Sequence, residues 1–81
     1  MTMTEMLEAT LARRAELQAE NPDREIWRCG KTFDIEGVGR VWCGIQIAQG
    51  ATTWMRRHIR RNWEINGKRI SADKLAKIVG A

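Results

Sequence analysis

Along residues 25–48, "EIWRCGKTFDIEGVGRVWCGIQIA", apolar and polar positions alternate with a period of two and are interrupted once, by "EGVG". Successive side chains of a strand project to opposite faces, so the pattern predicts an antiparallel hairpin with its loop near residues 36 to 39. One face carries Trp27, Cys29, Phe33 and Ile35 with Val41, Cys43, Ile45 and Ile47, broken only by Lys31. The other carries Arg28, Thr32, Arg40, Trp42 and Gln46. Trp42 stands out there as a large aromatic among arginines on the side expected to meet water, a composition common at interfaces unless a helix covers it. Gly30, Gly37, Gly39 and Gly44 read as loop and bulge residues.

On either side of the hairpin the period changes. Residues 4 to 20 read as a helix: Met3, Leu7 and Leu11 recur every four residues with Met6 and Leu17 beside them, and Glu8, Arg13, Glu16 and Glu20 lie opposite. Thr2 and Glu5 have capping-box spacing, with Thr4 as a rival cap, and the helix stops at Asn21 because a residue before proline is pushed out of the helical region. "QGATT" at 49–53 combines a breaker with a cap and predicts a second helix from about 53 to 63. On that helix Trp54, Met55, Ile59 and Trp63 fall on one half with His58 and Asn62 between them, and Arg56, Arg57, Arg60 and Arg61 on the other. Asn66-Gly67 suits a two-residue type I′ turn, which predicts a short hairpin over 63–70. Ser71 then caps a last helix, 71–79, with Asp73 in its first turn, Leu75, Ile78 and Val79 inward and Gly80 as stop. The expectation is a small single α+β domain over 1–81, ordered α-β-β-α-(short ββ)-α, with the antiparallel hairpin covered by helices.

At 81 residues the chain is near the size at which one core becomes marginal. No apolar run approaches the length that crosses a bilayer, and Glu5 and Glu8 interrupt what a signal peptide would keep apolar, so a cytoplasmic protein is expected. The net charge of +4 is uneven. Residues 1–24 hold three arginines against five acids, whereas the rest holds eleven lysines and arginines against five. A basic body of this kind favours anionic partners.

Little supports catalysis. Cys29 and Cys43 form no disulfide framework, and with a lone His58 they make no four-ligand zinc site, so both are expected to be buried thiols and no metal or cofactor is expected. His58 has no serine or cysteine tied to it by a recognisable motif, and the glycines form neither a Walker nor a dinucleotide fingerprint. An enzyme is therefore not expected.

The basic segment is the main functional signal. Four guanidiniums on one face of a short helix repel one another with no acid in that helix to relieve them, and arginine grips phosphate bidentately; the plainer readings are a solvated face, or one paired with Glu8, Glu16 and Glu20 of the N-terminal helix. Arg56, Arg57, Arg60 and Arg61 would contact phosphates of DNA or RNA, Lys68 and Arg69 would add backbone contacts, and Trp42 with Arg28 and Arg40 would form a second, stacking surface. A basic helix followed by a two-stranded wing resembles the plan of winged-helix proteins such as phage excisionases over residues 51 to 79. That resemblance implies a helix in the major groove and a wing along the backbone, although the hairpin at 25–48 occupies the place of that family's first helix. The first reading is thus a small non-enzymatic nucleic-acid-binding accessory or regulatory protein. The alternative is a protein-binding inhibitor or adaptor of the kind mobile elements use, anti-CRISPR-like, docking the same arginines and Trp42 on a host protein or nucleoprotein complex. A third reading is a subunit that completes its core by homodimerising through the N-terminal helix.

Overall fold

In the computed structural model, which describes residues 1–48 and 58–81, Thr2 caps a helix α1 (Met3–Glu20). The capping box is complete: the Glu5 N–H donates to Thr2 Oγ1 at 3.2 Å, and the Thr2 N–H donates to Glu5 Oε1 at 2.9 Å. These bonds hold the Glu5 carboxyl below the usual carboxylate range, chiefly through the Thr2 backbone N–H. Asn21 closes the helix as expected, its N–H donating to the Leu17 and Gln18 carbonyls.

The hairpin forms with the expected faces. Strands β1 (Arg28–Ile35) and β2 (Gly39–Ala48) pair antiparallel, with Cys29 opposite Ile45 and Phe33 opposite Val41. Residues 36–38 make the loop, where Gly37 takes a φ of 77° that only glycine adopts without strain. Strands β3 (His58–Ile65) and β4 (Lys68–Ile70) complete an antiparallel sheet in the order β1-β2-β3-β4, and α2 (Ala72–Val79) follows. Asn66 and Gly67, at φ 49° and 82°, form the two-residue turn between β3 and β4, both positive as a type I′ turn requires. The Asn66 side chain also accepts from the Arg40 N–H at 3.0 Å and its own N–H donates to the Arg40 carbonyl at 2.8 Å, which ties this turn to the start of β2.

The expected basic helix is overturned from residue 58 onward, because 58–65 is a strand. Its residues sort by a period of two as well as by 3.6: Ile59, Trp63 and Ile65 lie opposite Ile47, Cys43 and Val41. As a strand, the segment completes the ladder along the far edge of β2 and serves as the partner that β4 needs, both of which a helix would leave unmade. The winged-helix plan falls with it. The rest of that expected helix, with its cap, Trp54, Met55, Arg56 and Arg57, lies outside the described residues.

Both helices serve the face bearing Cys29, Phe33, Val41, Cys43 and Ile45. Together with Met6 of α1, Trp63 of β3 and Leu75 of α2 these form the core. The inward line of α1 is Met6 and Thr10, both fully buried, while Met3, Leu7, Leu11 and Leu17 pack half-buried around it. Thr10 is tolerated there because its hydroxyl donates to the Met6 carbonyl at 2.8 Å, leaving no bare polar group. Cys29 and Cys43 are free buried thiols as expected, and burial pushes the Cys43 thiol up. On α2, Ser71 caps, Leu75 is fully buried and Gly80 ends the helix, but Ile78 is 51% exposed and not inward as its spacing suggests. Val79, half-buried, packs against the core as its spacing suggests.

The link from α1 to β1 is held by side chains. Arg14 Nε donates to the Ile26 carbonyl, and Gln18 Oε1 accepts from the Ile26 N–H, each at 2.9 Å. These bonds fix where β1 begins and so set which of its residues face away from α1. No helix among the described residues is long and apolar enough to cross a membrane.

Candidate nucleic-acid interface

With the helices on one side, the opposite face of the sheet is open among the described residues. In antiparallel pairing, directly opposed residues project to the same face, so the register defines rows across it. Arg28, Gln46 and Arg60 form one row, Gly30, Gly44 and Asn62 the next, and Thr32, Trp42, Glu64 and Arg69 the third. Asp34 and Arg40 close the hairpin end.

Trp42 is half-buried without any help from the helices. The floor under its indole is the glycine pair. A methyl group placed on Gly30 would lie 2.6 Å from Nε1 and 2.9 Å from Cζ2, and one on Gly44 would run into Cη2 and Cζ2. The ring therefore lies along the sheet over the two glycines, with one π-face against the backbone. Aromatic side chains laid across glycine in a neighbouring strand cover backbone that glycine leaves bare. Arg28, Gly30, Trp42, Gly44, Gln46 and Asn62 line a shallow depression of about 430 Å³, at the small end of the range for ligand sites.

The surrounding charge is mainly positive: Arg28, Arg40, Arg60 and Arg69 against Asp34 and Glu64. Arg40 Nε meets Asp34 Oδ1 at 3.2 Å, but both side chains are largely exposed, so that pair is weak and open to exchange. Arg69 reaches back along the sheet to Asn62 Oδ1 at 3.5 Å, close to the depression. Arg28 and Arg60 are exposed on the two sides of Gln46, their backbones two strand spacings or roughly 10 Å apart.

Of the residues expected to bind, the sheet brings Arg28, Arg40, Trp42, Arg60 and Arg69 onto one face. It does not bring Arg61 or Lys68 with them. Arg61 is opposite Ile45 and Lys68 opposite Ile65, so both project to the helix side. There Arg61 lines a groove with Met3, Leu7, Trp63 and Asp73. Arg60 and Arg61, side by side in sequence and expected on one helical face, are thus on opposite faces of a strand. Arg56 and Arg57 lie outside the described residues.

Sequence reasoning missed the floor and part of the rim. Gly30 and Gly44 are neither loop nor bulge residues but a directly opposed pair in mid-strand, and Asn62 belongs beside them, not between apolar positions of a helix. A signal was present: with a three-residue loop after Ile35, counting back pairs Gly30 with Gly44 two positions from Trp42. No family model, curated protein or solved structure matches the chain. The chemistry of this face accordingly rests on its own residues.

Proposed function

We propose that the protein is a small, non-enzymatic nucleic-acid-binding protein of the accessory or regulatory type, whose contact surface is the open face of the sheet. The observation that carries this reading is Trp42 lying on the Gly30–Gly44 floor amid Arg28, Arg40, Arg60 and Arg69. Guanidiniums spread over a flat surface suit the phosphates of a polyanion, and an aromatic face suits a base. Arg61 and Lys68, which project to the helix side, are not part of this surface. A protein-docking role would use the same arginines with Trp42 as an anchor. It is less well supported, because anchors of that kind fill a pocket on the partner and an indole lying along its own sheet does not project.

The two neighbouring arginines test the proposal. Labelled oligonucleotides are titrated by fluorescence anisotropy at low and moderate salt with wild type, Arg60→Ala and Arg61→Ala. The wild type is expected to bind with log K falling linearly in log[salt], Arg60→Ala to weaken binding about three- to tenfold, and Arg61→Ala to leave it within about twofold. Equal losses in the two variants would move the contact surface off the open face, and a wild type that binds no oligonucleotide would end the proposal.

A further inference from the structure

We propose that the nucleic acid taken by this face is single-stranded, with an unpaired base laid on the outer side of the Trp42 indole and its edge met by the amides of Gln46 and Asn62. This rests on the nucleic-acid reading above and adds the strand state to it. Three features lead to it.

The first is the orientation of the ring. One π-face of Trp42 is taken by Gly30 and Gly44, so the side turned from the sheet is the surface on offer. Only a base whose own face is free can use it. In a duplex each base is stacked above and below and shows the outside its edges alone, whereas unpaired bases can be splayed out and stacked on an aromatic.

The second is breadth. At Trp42 the face spans Thr32, Glu64 and Arg69 on all the other strands of the sheet. With neighbouring strands roughly 4.8 Å apart, its outer strands stand about 14 Å from each other before side chains are added. The major groove of duplex DNA, about 12 Å wide, admits a helix or a two-stranded ribbon. This face is too broad to enter it, and β3 and β4, which make a ribbon, point Arg61 and Lys68 the other way.

The third is the chemistry of the rim. Gln46 and Asn62 each carry a donor and an acceptor, and both line the depression that contains Trp42. Such amides match the Watson–Crick edge of a base, which a duplex has already used and a single strand has not. Arg28 and Arg60 flank Gln46 and are placed to meet phosphates on either side of a base seated at Trp42. Four exposed or half-exposed groups thus converge on one nucleotide and its neighbours, as expected of a short platform and not of a groove-reading element.

The test compares four labelled probes by anisotropy: single-stranded DNA and RNA of about 12 nucleotides, within the usual span of a single-strand site, the matching duplex, and a single-stranded oligomer with abasic sites in place of the central bases. A single strand is expected to bind at least about tenfold more tightly than the duplex, and the abasic oligomer about 5- to 100-fold more weakly than its parent, the worth of a stacked base. Trp42→Phe keeps a ring over the glycines and is expected to weaken single-strand binding severalfold without changing duplex binding, while Gln46→Ala with Asn62→Ala narrows the preference among bases. The abasic comparison uses wild-type protein, so it stands even if a variant folds poorly. Duplex binding as tight as single-strand binding, with no loss on the abasic oligomer, would overturn the single-strand proposal and leave the nucleic-acid reading standing. Failure of all four probes to bind would overturn both and turn the search to an acidic protein surface.

Discussion

Replacing Arg28, Arg60 and Arg69 together by glutamate is expected to remove nucleic-acid binding almost entirely. The open face would pass from four arginines and two acids to one arginine and five acids. Three phosphate contacts would be lost at about 1 kcal/mol each, before any repulsion is counted, which is a weakening of about 100-fold or more. The salt dependence should change with it: each phosphate contact on a single strand contributes about 0.7 to the slope of log K against log[salt], so the slope should fall by about 2. Reversing Lys68, which projects to the helix side, together with Lys74 and Lys77 of α2 makes the same change in net charge there. That control should weaken binding by less than about threefold. If the two sets of reversals weaken binding alike, total charge and not the open face governs the affinity. All three arginines are exposed, so the folded state should tolerate their replacement, which circular dichroism would check.

The second large effect concerns the scaffold. Leu75→Ala is expected to destabilise the fold by about 2–5 kcal/mol, the usual cost of emptying a fully buried leucine site. Leu75 has no exposed surface and is the buried residue that α2 contributes to the core of Met6, Val41 and Cys43. Small domains have only about 5–15 kcal/mol in total, so the loss would lower the melting temperature by about 10–30 °C. Ile78→Ala, three residues further along the same helix but 51% exposed, should change stability by no more than about 0.5 kcal/mol. Calorimetry of the two variants side by side separates them. Equal losses would mean that α2 seats Ile78 as well as Leu75, as the spacing alone suggests.

Much of the scaffold can be read from the chain, and the reasons differ by element. The β1–β2 hairpin is legible because its alternation runs through 24 residues and is interrupted at a loop that contains Gly37. Both helix caps are legible because Thr2 with Glu5, and Ser71, act within one turn of themselves. Strand β3 is not. Over six residues such as 58–63 a period of two and a period of 3.6 sort the side chains equally well, and the decision belongs to the vacant edge of β2 and to β4. The Asn66-Gly67 turn held the clue, since a two-residue hairpin needs a strand on its N-terminal side as long as the one that follows, which commits at least Trp63 to Ile65. The candidate site was half legible for the same reason. Arg28, Arg40 and Trp42 share a face by alternation within the hairpin, but the floor beneath Trp42 depends on register, and the split between Arg60 and Arg61 depends on the strand.

On the proposed reading, the open sheet face around Trp42, and not the helix side, receives a single-stranded nucleic acid. The most direct measurement is a titration of ¹⁵N-labelled protein with a short single-stranded oligonucleotide, followed through backbone amide resonances and the four indole N–H signals. Shifts are expected to concentrate at Gly30, Gly44, Gln46, Asn62 and the Trp42 indole, with α1 and α2 unmoved. Shifts that instead cluster on α1, α2 and Arg61, with the Trp42 indole unchanged, would contradict it.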